Sequence, residues 1–128
     1  MTGIYPIELI APDIEPYRKG NTGIEFVTTF DSGMPGPHVL INAITHGNEI
    51  CGAIALDFLF RAGVQPLTGK LSLSFNNHAA YSNFDPEKPH NSRYIDEDFN
   101  RLWLEERLDG EEDTSELRRA RELRPLFH

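Results

Sequence analysis

A single cysteine, Cys51, among 128 residues excludes an intrachain disulfide and with it the small cystine-stapled frameworks of secreted domains. No apolar run approaches the roughly 20 residues that a membrane-spanning helix needs, so no membrane partner is expected. The start, Met1-Thr2-Gly3-Ile4-Tyr5-Pro6, lacks the basic stretch and apolar core of a secretory signal, and the expected location is the cytoplasm. Positive charge is scarce as well: 12 Lys and Arg stand against 20 Asp and Glu, a net charge of −8. A field of that sign repels a phosphate backbone, so nucleic acid is not an expected partner unless a local basic stripe overrides it. The one such stripe is Arg118, Arg119, Arg121 and Arg124. It is interleaved with Glu116 and Glu122, and Leu117, Ala120, Leu123 and Phe127 recur through it at helical spacing. That is the pattern of a solvated helix with one packed face.

The hydrophobic content of 39% suffices for one domain with a core. Residues 1–22 hold three prolines and no clear period and read as an irregular leader to a domain over residues 23–128. Gly23 to Phe30 alternates, with Ile24, Phe26 and Phe30 on one side of a strand. The turn formers from Asp31 to Pro37 predict an antiparallel connection into a buried strand over His38 to Ile44. A helix follows from about Asn48 to Ala62, with Asn48 as N-cap, Cys51 as a buried structural thiol and Gly63 past its end. Gly69 to Asn76 alternates again, so the unit strand-helix-strand is predicted to be parallel and right-handed. The segment from Asn77 to Phe99 is too long for a mere connection and reads as a shaped loop. Helices near Phe99 to Leu108 and from Ser115, the latter capped by Asp113 or Thr114, complete the chain. The fold class is α/β, a mixed and mostly parallel sheet with flanking helices. In such sheets ligands bind beyond the carboxyl ends of the parallel strands, which places His46, Glu49 and the loop after Asn77 on one rim.

Two clusters on that rim carry chemistry. Thr45-His46-Gly47-Asn48-Glu49 sits at a strand-to-helix junction, where Gly47 permits a tight turn and residues three apart can point the same way. An imidazole and a carboxylate so placed can share one cation, zinc above all. The plainer reading is a solvated His46 and a first-turn Glu49 favoured by the helix dipole. The second cluster runs Arg93-Tyr94-Ile95-Asp96-Glu97-Asp98-Phe99-Asn100-Arg101. Its two guanidiniums offer planar forks that match a carboxylate in two-point contact, unless Asp96, Glu97 and Asp98 already pair with them. His38, His78 and His90 read as ordinary loop or strand-end histidines, with His78 as a substitute metal ligand in reserve.

His-Gly-Asn-Glu followed by Arg-Tyr-Ile-Asp-x-Asp-x-Asn-Arg resembles the succinylglutamate desuccinylase and aspartoacylase family, relatives of the zinc carboxypeptidases, over about Gly23 to Phe127. The resemblance implies a zinc carboxypeptidase-like fold and assigns His46 and Glu49 as zinc ligands. It assigns Arg93 to the scissile carbonyl and its oxyanion, and Asn100 with Arg101 to a substrate carboxylate. The implied activity is zinc-dependent removal of an acyl group from an N-acyl amino acid. It also implies a third ligand, a histidine on a strand after the helix that begins near Ser115, and a later glutamate general base. Neither has a match here, so an N-terminal part of a longer enzyme is expected, inactive alone and weak in zinc affinity, with His128 not automatically the missing ligand. A sheet lacking its later strands exposes an edge, a route to homo-oligomers. A zinc carboxypeptidase and a metal-free carboxylate-binding module stand as the alternatives.

Overall fold

The computed structural model describes residues 6–127; Met1 to Tyr5 of the leader and His128 lie outside them. Strands β1 (Val27–Asp31), β2 (His38–Ala43) and β3 (Lys70–Phe75) form one mixed sheet in the order β1-β3-β2. β3 runs antiparallel to β1, with Thr28 opposite Leu73, and parallel to β2, with Val39 opposite Leu71. The turn-rich segment after β1 therefore closes no hairpin, because the later strand enters between the first two. With one parallel and one antiparallel pair, the sheet is mixed rather than mostly parallel.

β3 takes the centre because both its faces can be buried. Leu73 and Phe75 face one core, while Ser72 and Ser74 are equally buried on the other face. Their hydroxyls are satisfied there: Ser72 Oγ lies 2.6 Å from Thr29 Oγ1 and 2.7 Å from His38 Nε2, and Ser74 Oγ donates to Asn76 Oδ1 at 2.7 Å. β2 was expected to be buried. It is an edge strand instead, with Val39 and Ile41 exposed, since β3 is its one sheet neighbour.

β1 starts four residues later than its alternation predicts. Phe26 adopts φ 60, which breaks the extended run. The break sends neighbouring side chains to opposite cores, Phe26 towards Phe75 and Val27 towards Leu117 and Leu123.

Helix α1 (Ile50–Arg61) covers the first core with Ile50, Ala53 and Leu56, spaced to share one face. Glu49, not Asn48, holds the N-cap position. Cys51 is exposed rather than buried, because one step of about 100° from Ile50 turns it away from the sheet. The described residues of the leader form no strand, but Ile14 is buried in this core and Tyr17 stacks on Phe60 at 4.1 Å.

The segment after β3 is more ordered than a loop. It holds α2 (His78–Tyr81), capped by the Asn77 side chain, and a 3-10 turn at Pro89–Ser92. The helix expected near Phe99 to Leu108 is divided. A 3-10 turn, Phe99–Arg101, is capped by Asp98; α3 (Glu105–Leu108) follows only after Leu104 has become extended. Phe99 and Leu102 both turn into the second core by that division.

Helix α4 (Ser115–Leu123) starts at the predicted residue, with Thr114 Oγ1 accepting from Leu117 N at 3.0 Å. Its packed face is wider than a solvated helix allows. Arg119 is buried and donates to the carbonyls of Asn76, Phe75 and Glu25, tying the end of β3 to the turn before β1. Glu116 is buried beside it. No helix among the described residues is long and apolar enough to cross a membrane.

His78 does not join His46. Its ring lies tilted against Phe26, with centroids 4.5 Å apart. Burial first, then the Arg119 and Arg18 charges, lower its pKa to about 4, with Glu15 opposing. A histidine depressed in the folded state is fully stabilising above its unfolded value of about 6.5 and loses that contribution as pH falls towards 4. Urea denaturation between pH 7 and pH 4 should show a stability loss on the order of 2 kcal/mol from this group, discounted for the ring's partial exposure. In His78→Asn that part of the slope should vanish; an unchanged slope would assign the acid sensitivity elsewhere.

Candidate functional site

Ile44, directly after β2, is a buried β-branched residue at φ 50. Such a conformation is uncommon and costs energy that the surroundings must supply. Here it turns the chain off the sheet, held by Asn77 N donating to the Ile44 carbonyl at 2.9 Å. The next residues close a tight turn, with Glu49 N donating to His46 O at 3.1 Å. His46 is buried, whereas the Glu49 carboxylate is half open to solvent. Glu49 Oε1 accepts from His46 N at 2.8 Å and lies 3.1 Å from His46 Nδ1.

Gly47 serves close approach, not a left-handed turn. A Cβ there would stand 2.2 Å from Ser92 O and 2.5 Å from the Ala80 carbonyl carbon. The contact lets Gly47 N donate to Arg93 O at 3.0 Å, a backbone bond that joins the two motifs directly.

Beyond Arg93 the chain returns to His46 through Asp98, whose Oδ1 lies 2.8 Å from His46 Nε2. Both ring nitrogens therefore face carboxylates, Glu49 on one side and Asp98 on the other. The hydrogen bond from His46 foremost, with Asn100 N and Arg93 behind it, holds the Asp98 acid down at about 2 against the effect of burial. Arg93 reaches Asp98 Oδ2 only at 3.4 Å and is 44% exposed, so most of its donors remain open. Asp96 and Glu97 do not pair with the motif arginines. Asp96 accepts from Ser115 N, and Glu97 accepts from Arg107 and Thr114. Arg101 donates to Asn100 O at 3.1 Å and its side chain is exposed. Asn100 borders a cleft of about 220 Å³ with Asn42, Thr45, Asn76 and Trp103. A larger cleft of about 600 Å³ lies under the leader, between Arg18 and His78, and touches none of these motif residues. The chemistry, not the volume, selects the site.

The donor set can be tested against zinc. Two ligands about 2.0–2.1 Å from a tetrahedral zinc ion lie about 3.3 Å apart, close to the 3.1 Å between His46 Nδ1 and Glu49 Oε1. The pair fits one edge of such a site. Asp98 faces the far ring nitrogen and cannot join the same ion, and no group of three or more ligating residues is assembled among the described residues.

A family model, the succinylglutamate desuccinylase/aspartoacylase catalytic domain, matches residues 35–128. The chain belongs to this family. No curated protein and no solved structure matches it. The family match contains both motifs, whereas the leader and β1 precede it. It supports a hydrolytic, enzyme-type domain. Two residues that tie the motifs together carry little local signal in the sequence. Asp98 reads locally as an arginine partner, because its contact with His46 spans 52 positions. Glu116 has the sequence pattern of a solvated residue, although it stands one residue before the apolar stripe of Leu117, Ala120 and Leu123.

Proposed function

We propose that this chain forms the metal-binding and carboxylate-binding part of a zinc-dependent hydrolase that deacylates N-acyl amino acids, on a zinc carboxypeptidase-like fold. The observation that carries the reading is convergence: His46, Glu49, Arg93 and Asp98, from two motifs 44 positions apart at their nearest ends, are linked through the Gly47–Arg93 and His46–Asp98 bonds.

His46 Nδ1 and Glu49 would hold zinc, which when bound polarises a carbonyl and lowers the pKa of water. Asp98 accepts from His46 Nε2, fixing the ring's orientation and tautomer. Arg93 donates to the scissile oxygen as charge grows there, where binding raises rate rather than mere affinity. Asn100 and Arg101 orient the substrate carboxylate by a neutral amide donor and a planar guanidinium. Bound zinc together with Arg93 and Arg101 would make a small positive pocket within a chain of net charge −8. The third ligand and the general base of the family pattern have no counterpart among the described residues. The chain alone is accordingly expected to bind zinc weakly and to turn over little. The exposed apolar edge of β2 is the surface proposed for homo-oligomers.

Zinc titration by calorimetry tests the ligand assignment. The chain should give a weak one-to-one binding heat that disappears in His46→Ala and Glu49→Ala. Asp98→Ala should weaken it about 10- to 100-fold, the usual cost of losing an orienting partner. A tight site in the chain alone would contradict the incomplete ligand set, and identical heats in all variants would remove the metal site altogether. The metal-free carboxylate-binding alternative draws on one observation, that Glu49 Oε1 already accepts from His46 N. Metal analysis of the purified protein separates the two. Assays of acylated amino acids against peptides separate a deacylase from a carboxypeptidase.

A further inference from the structure

Helix α4 carries a carboxylate that the proposed chemistry leaves unused. Glu116 is fully buried, and its four partners are all neutral donors. Oε2 accepts from Asn77 Nδ2 at 3.0 Å and Ile95 N at 2.9 Å; Oε1 accepts from Asp96 N at 2.8 Å and Glu97 N at 3.1 Å. Three consecutive backbone N–H groups converging on one anion make a nest. Burial works to raise this acid's pKa, yet the hydrogen bonds outweigh it and hold the group below its ordinary value.

The nest lies between Arg93 and Asp98 in sequence. Its other anchors return to the same helix: Asp96 Oδ2 accepts from Ser115 N at 2.7 Å, and Glu97 Oε1 accepts from Thr114 Oγ1 at 2.6 Å. Asn77 extends the chain of contacts to the strand end before His46, since Asn77 N donates to Ile44 O at 2.9 Å.

We propose that Glu116 is a positioning residue: as an anion it binds the Ile95–Glu97 backbone to Asn77 and so sets Arg93 and Asp98 in register with His46 and Gly47. What Arg93 and Asp98 do rests on the functional reading above, but the register itself does not depend on metal. The charge is needed for a chemical reason. A carboxylate is acceptor-only, with room for four donors on two oxygens. A glutamine of the same shape keeps one oxygen and turns an NH2 group towards N–H donors. An aspartate is one methylene short.

Amide hydrogen exchange and the ring 15N shifts of His46, measured on the metal-free chain and on Glu116→Gln and Asp98→Asn, test the role. In Glu116→Gln, protection of Ile95, Asp96, Glu97 and Gly47 should fall about 10- to 100-fold while Leu56 to Phe60 in α1 keep theirs. The His46 ring shifts should move towards those of Asp98→Asn. Equal loss of protection in α1 would make Glu116 a general stabiliser, and unchanged Gly47 protection and ring shifts would show that the loop is held without it; either overturns the proposal. Should Glu116→Gln fail to fold, Asn77→Ala withdraws one donor and should give the same local pattern at about 3- to 10-fold; its absence counts equally against the proposal. A wild-type chain without zinc heat but with this exchange pattern would remove the hydrolase reading and leave the positioning role standing.

Discussion

Gly47→Ala is expected to destabilise the chain by at least about 3 kcal/mol, a large part of the ordinary 5–15 kcal/mol of a domain. The added carbon would meet Ser92 O at 2.2 Å, the Ala80 carbonyl carbon at 2.5 Å and Tyr81 N at 2.6 Å. All three are backbone atoms, so no flexible side chain can swing aside. Either α2 and the 3-10 turn at Pro89–Ser92 move away together, or the turn bearing His46 does. Both movements break the Gly47 N to Arg93 O bond, and zinc heat should fall with stability. Gly63→Ala is the matched control. Gly63 has φ 69 and nothing within 4 Å of an added Cβ, so it should cost only the left-handed backbone term of about 1–2 kcal/mol. Urea denaturation of both variants checks the comparison. A Gly47→Ala chain within about 1 kcal/mol of the parent would mean that the motifs are not packed backbone to backbone.

Local pattern carried much of this architecture, and its failures share a cause. The alternation of Leu71, Leu73 and Phe75 located β3, and the Asn48 to Ala62 pattern located α1 to within two residues at its start. Strand order was beyond such patterns. β3 enters between β1 and β2 because its serines and leucines can both be buried, a property of the assembled layers. Phe26 looked like an inward strand residue and is buried, but by a positive φ that no alternation encodes.

Charged residues misled for a related reason. Glu116 and Arg119 follow the general rule that such side chains stay in water unless fully partnered. Apart from the side chains of Asn77 and Glu122, their partners are backbone groups of Ile95 to Glu97 and of Glu25, Phe75 and Asn76, between 19 and 94 positions away. The motifs were legible because each is short and contiguous, so His46 with Glu49, and Arg93 with Asn100 and Arg101, stood out by residue type. The residues that connect the motifs were not. Asp98 and Glu116 act across the fold, and only the Thr114 cap next to Glu116 left a local trace.

On the zinc-hydrolase reading proposed above, Arg93→Ala should lower kcat by about 10²- to 10³-fold with little change in KM, the size expected for one lost oxyanion donor. The side chain is 44% exposed and makes one long contact at 3.4 Å, so its removal should leave the fold intact. A lysine there restores charge but not the fork, and Arg93→Lys should recover only part of the rate. Arg101→Ala should do the opposite, raising KM by about 10- to 100-fold while kcat stays near the parent's, because a charge-assisted contact to the substrate carboxylate forms before the chemical step. An N-acyl amino acid and its methyl ester separate the roles. The parent should prefer the free acid, Arg101→Ala should lose that preference, and Arg93→Ala should keep it at a lower rate. If both variants retained the parent's kcat, KM and acid preference, neither guanidinium would touch substrate, and the 3.4 Å contact of Arg93 with Asp98 would be its whole purpose.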